Sequence, residues 1–112
     1  APLDWTDGDA VYVTVRALRP ATTKLELVLR KEDGSAWSAT LGLTADWRRL
    51  RLPLSAFRYR ADKTAVPPDG KSLAPLAECE SCEFIMGRWL FPKTFSEEHG
   101  YEVRYVGSAP ES

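Results

Sequence analysis

The chain has 112 residues, the size of one domain with one hydrophobic core, and its 15 Lys+Arg against 16 Asp+Glu leave a formal charge of -1. That balance argues against nucleic acid or an anionic membrane surface as partner, because both are met with a broad positive field. At 44% hydrophobic with four Trp the chain is too apolar for disorder, yet no apolar run reaches the ~20 residues that span a bilayer.

In chain order, the opening Ala1-Pro2-Leu3-Asp4-Trp5 carries neither the basic nor the apolar stretch of a secretory leader, as in a processed or excised chain. From Val11 to Leu18, Val11, Val13, Val15 and Ala17 alternate with Tyr12, Thr14, Arg16 and Leu18, the period of a half-buried strand. After Pro20, Leu25, Leu27 and Leu29 alternate with Lys24, Glu26, Val28 and Arg30, so a second strand sends leucines inward and mostly charge outward. Glu32-Asp33-Gly34-Ser35 has the Asp-Gly signal of a tight hairpin. Strand three is expected at about Ala36 to Leu43 with Trp37, Ala39, Leu41 and Leu43 inward, and strand four at Trp47 to Leu54 with Leu50, Leu52 and Leu54 on one face and Arg49 and Arg51 on the other.

From Ser55 to Leu76 alternation stops and Pro67, Pro68, Gly70 and Pro75 gather, which reads as a long irregular loop, functional or mobile. Phe84 to Phe91 is expected as strand five, Pro92 to Gly100 as a loop, Tyr101 to Val106 as strand six and Gly107 to Ser112 as a tail. No segment of ten residues has a helical apolar stripe. Six short strands with Pro/Gly-punctuated turns predict an all-β antiparallel sandwich.

Chemistry is sparsely supplied. His99 is the only histidine, and with Cys79 and Cys82 it offers three zinc ligands at most, without paired spacing. No Gly-rich phosphate loop, nucleophile elbow or His-Glu-x-x-His motif occurs, so no enzyme is expected, a hydrolase using Glu97 and Glu102 being the weakest reading. Cys79-x-x-Cys82 leads into a strand rather than a helix; buried thiols come first and a local disulfide second.

Trp47 to Phe57, with its alternating leucines and Pro53-Leu54-Ser55, resembles the signature of galactose-binding-domain-like jelly rolls, which include carbohydrate-binding modules of secreted glycoside hydrolases. The hairpin from Leu25 to Leu43 is similar to that family. So are Leu76, Cys79, Cys82, Phe84 and Met86 at spacings of three, three, two and two, and the closing Tyr101, Val103 and Val106. Arg104 departs from it, since the family often has an acidic residue there, and the upstream calcium loop of larger members is shortened or absent. Asp4, Asp7 and Asp9 could supply oxygen ligands for a structural calcium, but without a calcium-loop spacing they read as solvated turn carboxylates, so no cofactor is expected.

Sugar recognition in such modules rests on exposed aromatic faces stacking on pyranose rings, with planar polar groups fixing hydroxyls. Trp37 and Tyr101 are core by parity, Trp47 holds a packing position and Phe57 plugs the sandwich end. Trp89 has outward parity beside Gly87 if strand five runs that far, unless the 58–75 loop covers it. Tyr12 is outward, Tyr105 too if the last strand bulges, and Tyr59 sits in the long loop between Arg58 and Arg60. Arg88 beside Trp89 suits a hydroxyl or carboxylate. The arginine cluster around Arg49 and Arg51 suits an acidic glycan, or is a solvated face balanced by carboxylates such as Glu26. Glu97, Glu98 and His99 read as solvated.

The resemblance therefore implies a non-catalytic module binding a polysaccharide or oligosaccharide, neutral or acidic, through Trp89, Arg88, Tyr59, Tyr12, Arg49 and Arg51. It would be attached to a catalytic domain and would be secreted or at the cell surface. The alternative is an accessory sandwich that packs against a catalytic domain and binds no sugar.

Overall fold

The computed structural model describes residue 3, residues 5–60 and residues 73–112. Among them are seven strands: β1 (Ala10–Ala17), β2 (Lys24–Lys31), β3 (Ala36–Gly42), β4 (Arg48–Pro53), β5 (Arg58–Arg60), β6 (Cys79–Ile85) and β7 (Tyr101–Gly107). They form two antiparallel sheets, ordered β4-β1-β7 and β5-β3-β2-β6. Alternation decides the packing. Val11, Val13 and Val15 point from the three-stranded sheet into one shared core with Leu25, Leu27, Leu29, Trp37, Ala39 and Leu41 of the other. The result is an all-β sandwich.

Cross-strand register fixes which side chains share a face. Leu25, Leu27 and Leu29 stand opposite Leu41, Ala39 and Trp37, and Leu27 and Leu29 also stand opposite Phe84 and Cys82. In the other sheet Val11 and Val13 oppose Leu52 and Leu50, which leaves Arg51 opposite Tyr12 and Arg49 opposite Thr14 on the outer face. β7 keeps pace with β1 only through a bulge between Thr14 and Val15: Val15 opposes Val103 but Thr14 opposes Tyr105, so Arg104 is the extra residue. The bulge turns Tyr105 outward, as the conditional sequence reading required. The β2–β3 hairpin turns at Gly34, whose φ of +87° is a conformation L side chains rarely adopt. Asp33 Oδ1 accepts the Ser35 N–H at 2.8 Å, and hydrogen bonds from Ser35, side chain then backbone, hold the Asp33 carboxyl below its ordinary range.

Four expectations need correction. Strand five is Cys79–Ile85 rather than Phe84 to Phe91. As an edge strand it tolerates the exposed charges of Glu80 and Glu83, in a stretch before Phe84 that had been given no strand. The stretch from Ser55 is not all loop: after a short 3-10 turn at Leu54–Ala56, β5 pairs with β3, and residues 61–72, with Pro67, Pro68 and Gly70, lie outside the described residues. The outer side of β2 is not wet, since Glu26 and Val28 are only 8% and 1% exposed. Thr40 donates to Glu26 at 2.6 Å and Arg60 approaches it at 4.0 Å, so Glu26 balances β5 and not the arginines of β4. Trp47, expected as a packing residue, lies half-exposed outside the core, its ring met by Arg16 and Arg104 at 4.7 and 5.0 Å from the centroid.

Candidate functional site

The six residues singled out in the sequence fall into three places. Tyr59 is not in a loop: on β5 it stands opposite Trp37, the two rings meeting edge to face at 5.4 Å, and it packs half-buried against the core. Trp37 itself is buried, with Lys31 Nζ 5.2 Å from its ring centroid. Tyr59 thus braces the sheet against the core.

Trp89 and Arg88 are in turns, not on a strand. β6 ends at Ile85, and the Leu90 and Phe91 N–H groups donate to Gly87 O and Arg88 O at 3.0 and 3.1 Å, making consecutive tight turns. Leu90 and Phe91 are buried and anchor the segment, while Trp89 at the turn tip is 58% exposed. Its indole folds back over Gly87 so closely that a Cβ there would fall 1.7 Å from the ring. The benzo ring of the indole thus packs against Gly87 while over half the residue stays accessible. Arg88 stacks on Phe95, guanidinium to centroid 4.9 Å, and Phe95 is itself 38% exposed. Sequence reasoning missed Phe95; four places past Phe91 in an aperiodic stretch, it gave no parity signal. Residues 61–72 of the 58–75 loop, whose folding over Trp89 was the alternative to an open ring, lie outside the described residues.

This segment is tied down at His99. Its ring stacks on Phe91 with centroids 4.2 Å apart, Nε2 donates to Thr94 O at 3.0 Å and Nδ1 meets Thr22 Oγ1 at 3.0 Å. The Thr94 carbonyl can only accept, so Nε2 carries a proton and donates, while Nδ1 and Thr22 Oγ1 share the second bond. Thr22 in turn accepts the Gly100 N–H at 3.0 Å. His99 is therefore a bolt between loops, and the expectation that it is solvated is corrected. Glu98 is likewise engaged, with Arg19 at 2.9 Å, and Glu102 with Arg16.

Tyr12, Arg49 and Arg51 do come together, on the outer face of the three-stranded sheet, around a cleft of about 240 Å³ that Tyr105 and Glu111 also line. Tyr12 and Asp9 hold Arg51, the latter at 3.0 Å, and both keep its guanidinium still more firmly protonated. Glu111 folds back from the segment after β7. Its carboxylate accepts from Thr14 at 2.7 Å and from Arg104 at 3.0 and 3.2 Å. These bonds, that from Arg104 foremost, hold the Glu111 carboxyl below its ordinary range. Tyr105 lies over Gly107 and donates to Ala109 O at 2.6 Å, fastening the same segment. The residues from Gly107 onward had read as a tail, and Thr14, Arg104 and Glu111 were missed. Outward parity between Tyr12 and Arg16 was the available signal for Thr14.

Cys79 and Cys82 are free thiols; burial pushes Cys79 up to about 11 and raises Cys82 too. Asp7 accepts the Ala77 N–H at 2.9 Å, Asp9 is engaged with Arg51, and Asp4 lies outside the described residues. Among the described residues no three His, Cys, Asp or Glu gather to hold a metal ion, and no helix is long and apolar enough to cross a membrane. No family model, curated protein or solved structure matches the chain.

Proposed function

We propose that this chain is a non-catalytic carbohydrate-binding module, a jelly-roll relative of the galactose-binding-domain-like sandwiches that its Trp47–Phe57 and closing-strand patterns resemble. The reading rests chiefly on one observation: Trp89 is 58% exposed while its benzo ring packs against Gly87. An exposed ring held against backbone is a ready stacking surface for the apolar face of a pyranose, and little side-chain freedom is lost on binding. The Arg88 and Phe95 pair adds a planar donor and a second ring nearby in sequence. Such a module would be secreted or at the cell surface, concentrating an attached polysaccharide-degrading enzyme on its substrate by linked binding.

The test is calorimetry of the chain against a panel of soluble polysaccharides, with Trp89→Ala alongside. Binding to at least one polysaccharide that the substitution weakens tenfold or more fits stacking, at ~1.4 kcal/mol per decade. An accessory domain that only packs against a neighbour would bind none. Equal binding by both proteins would remove Trp89 from the site.

A further inference from the structure

The grip on Glu111 is the most concentrated recognition chemistry on the described surface. Thr14 is 1% exposed, and its hydroxyl donates to Oε1. Arg104 presents Nε to Oε2 and Nη2 to Oε1, the two-pronged geometry in which a guanidinium reads a planar carboxylate. Arg49, 73% exposed at its side chain, reaches the same carboxylate only at 3.8 Å, longer than a hydrogen bond. Two hydrogen-bonding side chains and one further guanidinium, from three strands, thus converge on one acidic group. The β1–β4 pairing runs unbroken through Thr14 opposite Arg49, and the β7 bulge frees Arg104 to face the same side. Beside the carboxylate lies the cleft of about 240 Å³ walled by Tyr12 and Tyr105, close to the lower end of the roughly 300–1,000 Å³ of small-molecule sites.

We propose that this outer face is a carboxylate-binding site for a uronate residue of an acidic glycan, and that Glu111 is the intramolecular stand-in that fills the carboxylate position until such a ligand displaces it. The site rests on geometry independent of Trp89; only the choice of a glycan as ligand rests on the module reading above. Exchange of one carboxylate for another leaves the charge at Arg104 and Arg49 unchanged, and the incoming sugar ring then occupies the space between the two tyrosines. A neutral sugar has nothing to offer Arg104 in place of Glu111, so the site selects for acid. A tethered occupant competes at an effective concentration in the millimolar range, which weakens the apparent affinity of any external ligand.

The experiment titrates the full chain with a glucuronate-containing oligosaccharide, its neutral glucose counterpart and a short polyglutamate peptide, read by NMR shifts and calorimetry. The expected result is that Glu111→Ala binds the acidic oligosaccharide about tenfold or more tighter than the unsubstituted chain. Glu111→Ala/Arg104→Gln and Glu111→Ala/Arg49→Gln would lose that gain, and the neutral oligosaccharide would show none. Should Glu111→Ala melt early, Glu111→Gln, which keeps the acceptor for Thr14 without the charge, must show a smaller gain of the same sign. Equal affinity of the unsubstituted and both Glu111 variants for the acidic sugar overturns the proposal and leaves Glu111 a structural strap. Polyglutamate binding as tightly as uronate overturns the glycan assignment. A gain that persists in Glu111→Ala/Trp89→Ala, with no sugar sensitive to Trp89, leaves this site standing and removes the stacking reading. Trp89-dependent binding untouched at Glu111 does the opposite.

Discussion

The Trp89 indole occupies the place where a side chain on Gly87 would begin: a Cβ there would fall 1.7 Å from the ring. Tyr105 repeats the device, its phenol lying over Gly107 so that a Cβ would come within 2.5 Å of the hydroxyl. In both places a glycine two residues away lets an aromatic side chain pack directly on the backbone. A ring seated this way is held without a pocket around it, as the proposed stacking surface would require.

Gly87→Ala tests that seat without touching the indole. The added methyl forces the ring off, and because Trp89 is exposed it can swing into solvent, so the fold should lose no more than about 0.5 kcal/mol. Polysaccharide binding should fall to the level of Trp89→Ala. Thermal melts followed by circular dichroism, with calorimetric titration of the same samples, check both halves. Unaltered binding in Gly87→Ala would show that the seat is irrelevant to the ligand.

The hairpin turn offers a prediction on stability alone. Gly34 has φ +87° and open space where a Cβ would stand, so the cost of a side chain there is conformational and not steric crowding by neighbours. Gly34→Ala should destabilise by about 1–2 kcal/mol, and Gly34→Asn by less, because Asn visits the left-handed region more readily. Urea denaturation of the three proteins gives the order. Equal midpoints would mean the turn rearranges at no cost.

Much of the sandwich was legible because its inward residues repeat strictly every second position: Val11 to Val15, Leu25 to Leu29 and Trp37 to Leu41 all bury as their parity requires. β6 was misplaced by five to six residues, the expected and observed strands sharing only Phe84 and Ile85, since an edge strand with Glu80, Ser81 and Glu83 facing solvent looks polar and irregular by the same rule. The candidate site was legible only in pieces. Parity placed Tyr12, Arg49 and Arg51 outward, but not that β4 and β1 are neighbours, which comes from pairing across some forty residues. Nothing periodic reaches Glu111, whose partner Thr14 is 97 residues away. The exposure of Trp89 was read from a strand position it does not hold; it is exposed at the tip of a turn, against Gly87.

Thr22 should be more costly to change than its size suggests. Its hydroxyl, 1% exposed at the residue, shares a hydrogen bond with His99 Nδ1 and takes one from the Gly100 N–H, so Thr22→Val keeps the shape and strands both partners. A loss of about 1–3 kcal/mol is expected from the unpaired groups. Thr22→Ser, which keeps the hydroxyl and drops a methyl, should lose less. Denaturant midpoints decide, and Val equal to or better than Ser would mean that packing and not hydrogen bonding holds the loop.

Cys79 sets an alkaline limit on the fold. Its thiol is fully buried between β6 and the core, which pushes its pKa up to about 11, whereas in the unfolded chain it titrates near 8.5. Below pH 8 the thiol is neutral in both states and its contribution is fully present. As pH rises through the unfolded value the unfolded chain loses the proton first, so the balance moves toward unfolding until the folded value is passed. Cys82, also raised by burial, acts in the same direction. Under reducing conditions the unsubstituted chain should therefore lose on the order of 1–3 kcal/mol more than Cys79→Val between pH 7.5 and pH 10.5. The difference between the two proteins cancels the tyrosines and lysines that titrate in the same window. Parallel stability curves across that range would show that the Cys79 thiol ionises as easily folded as unfolded.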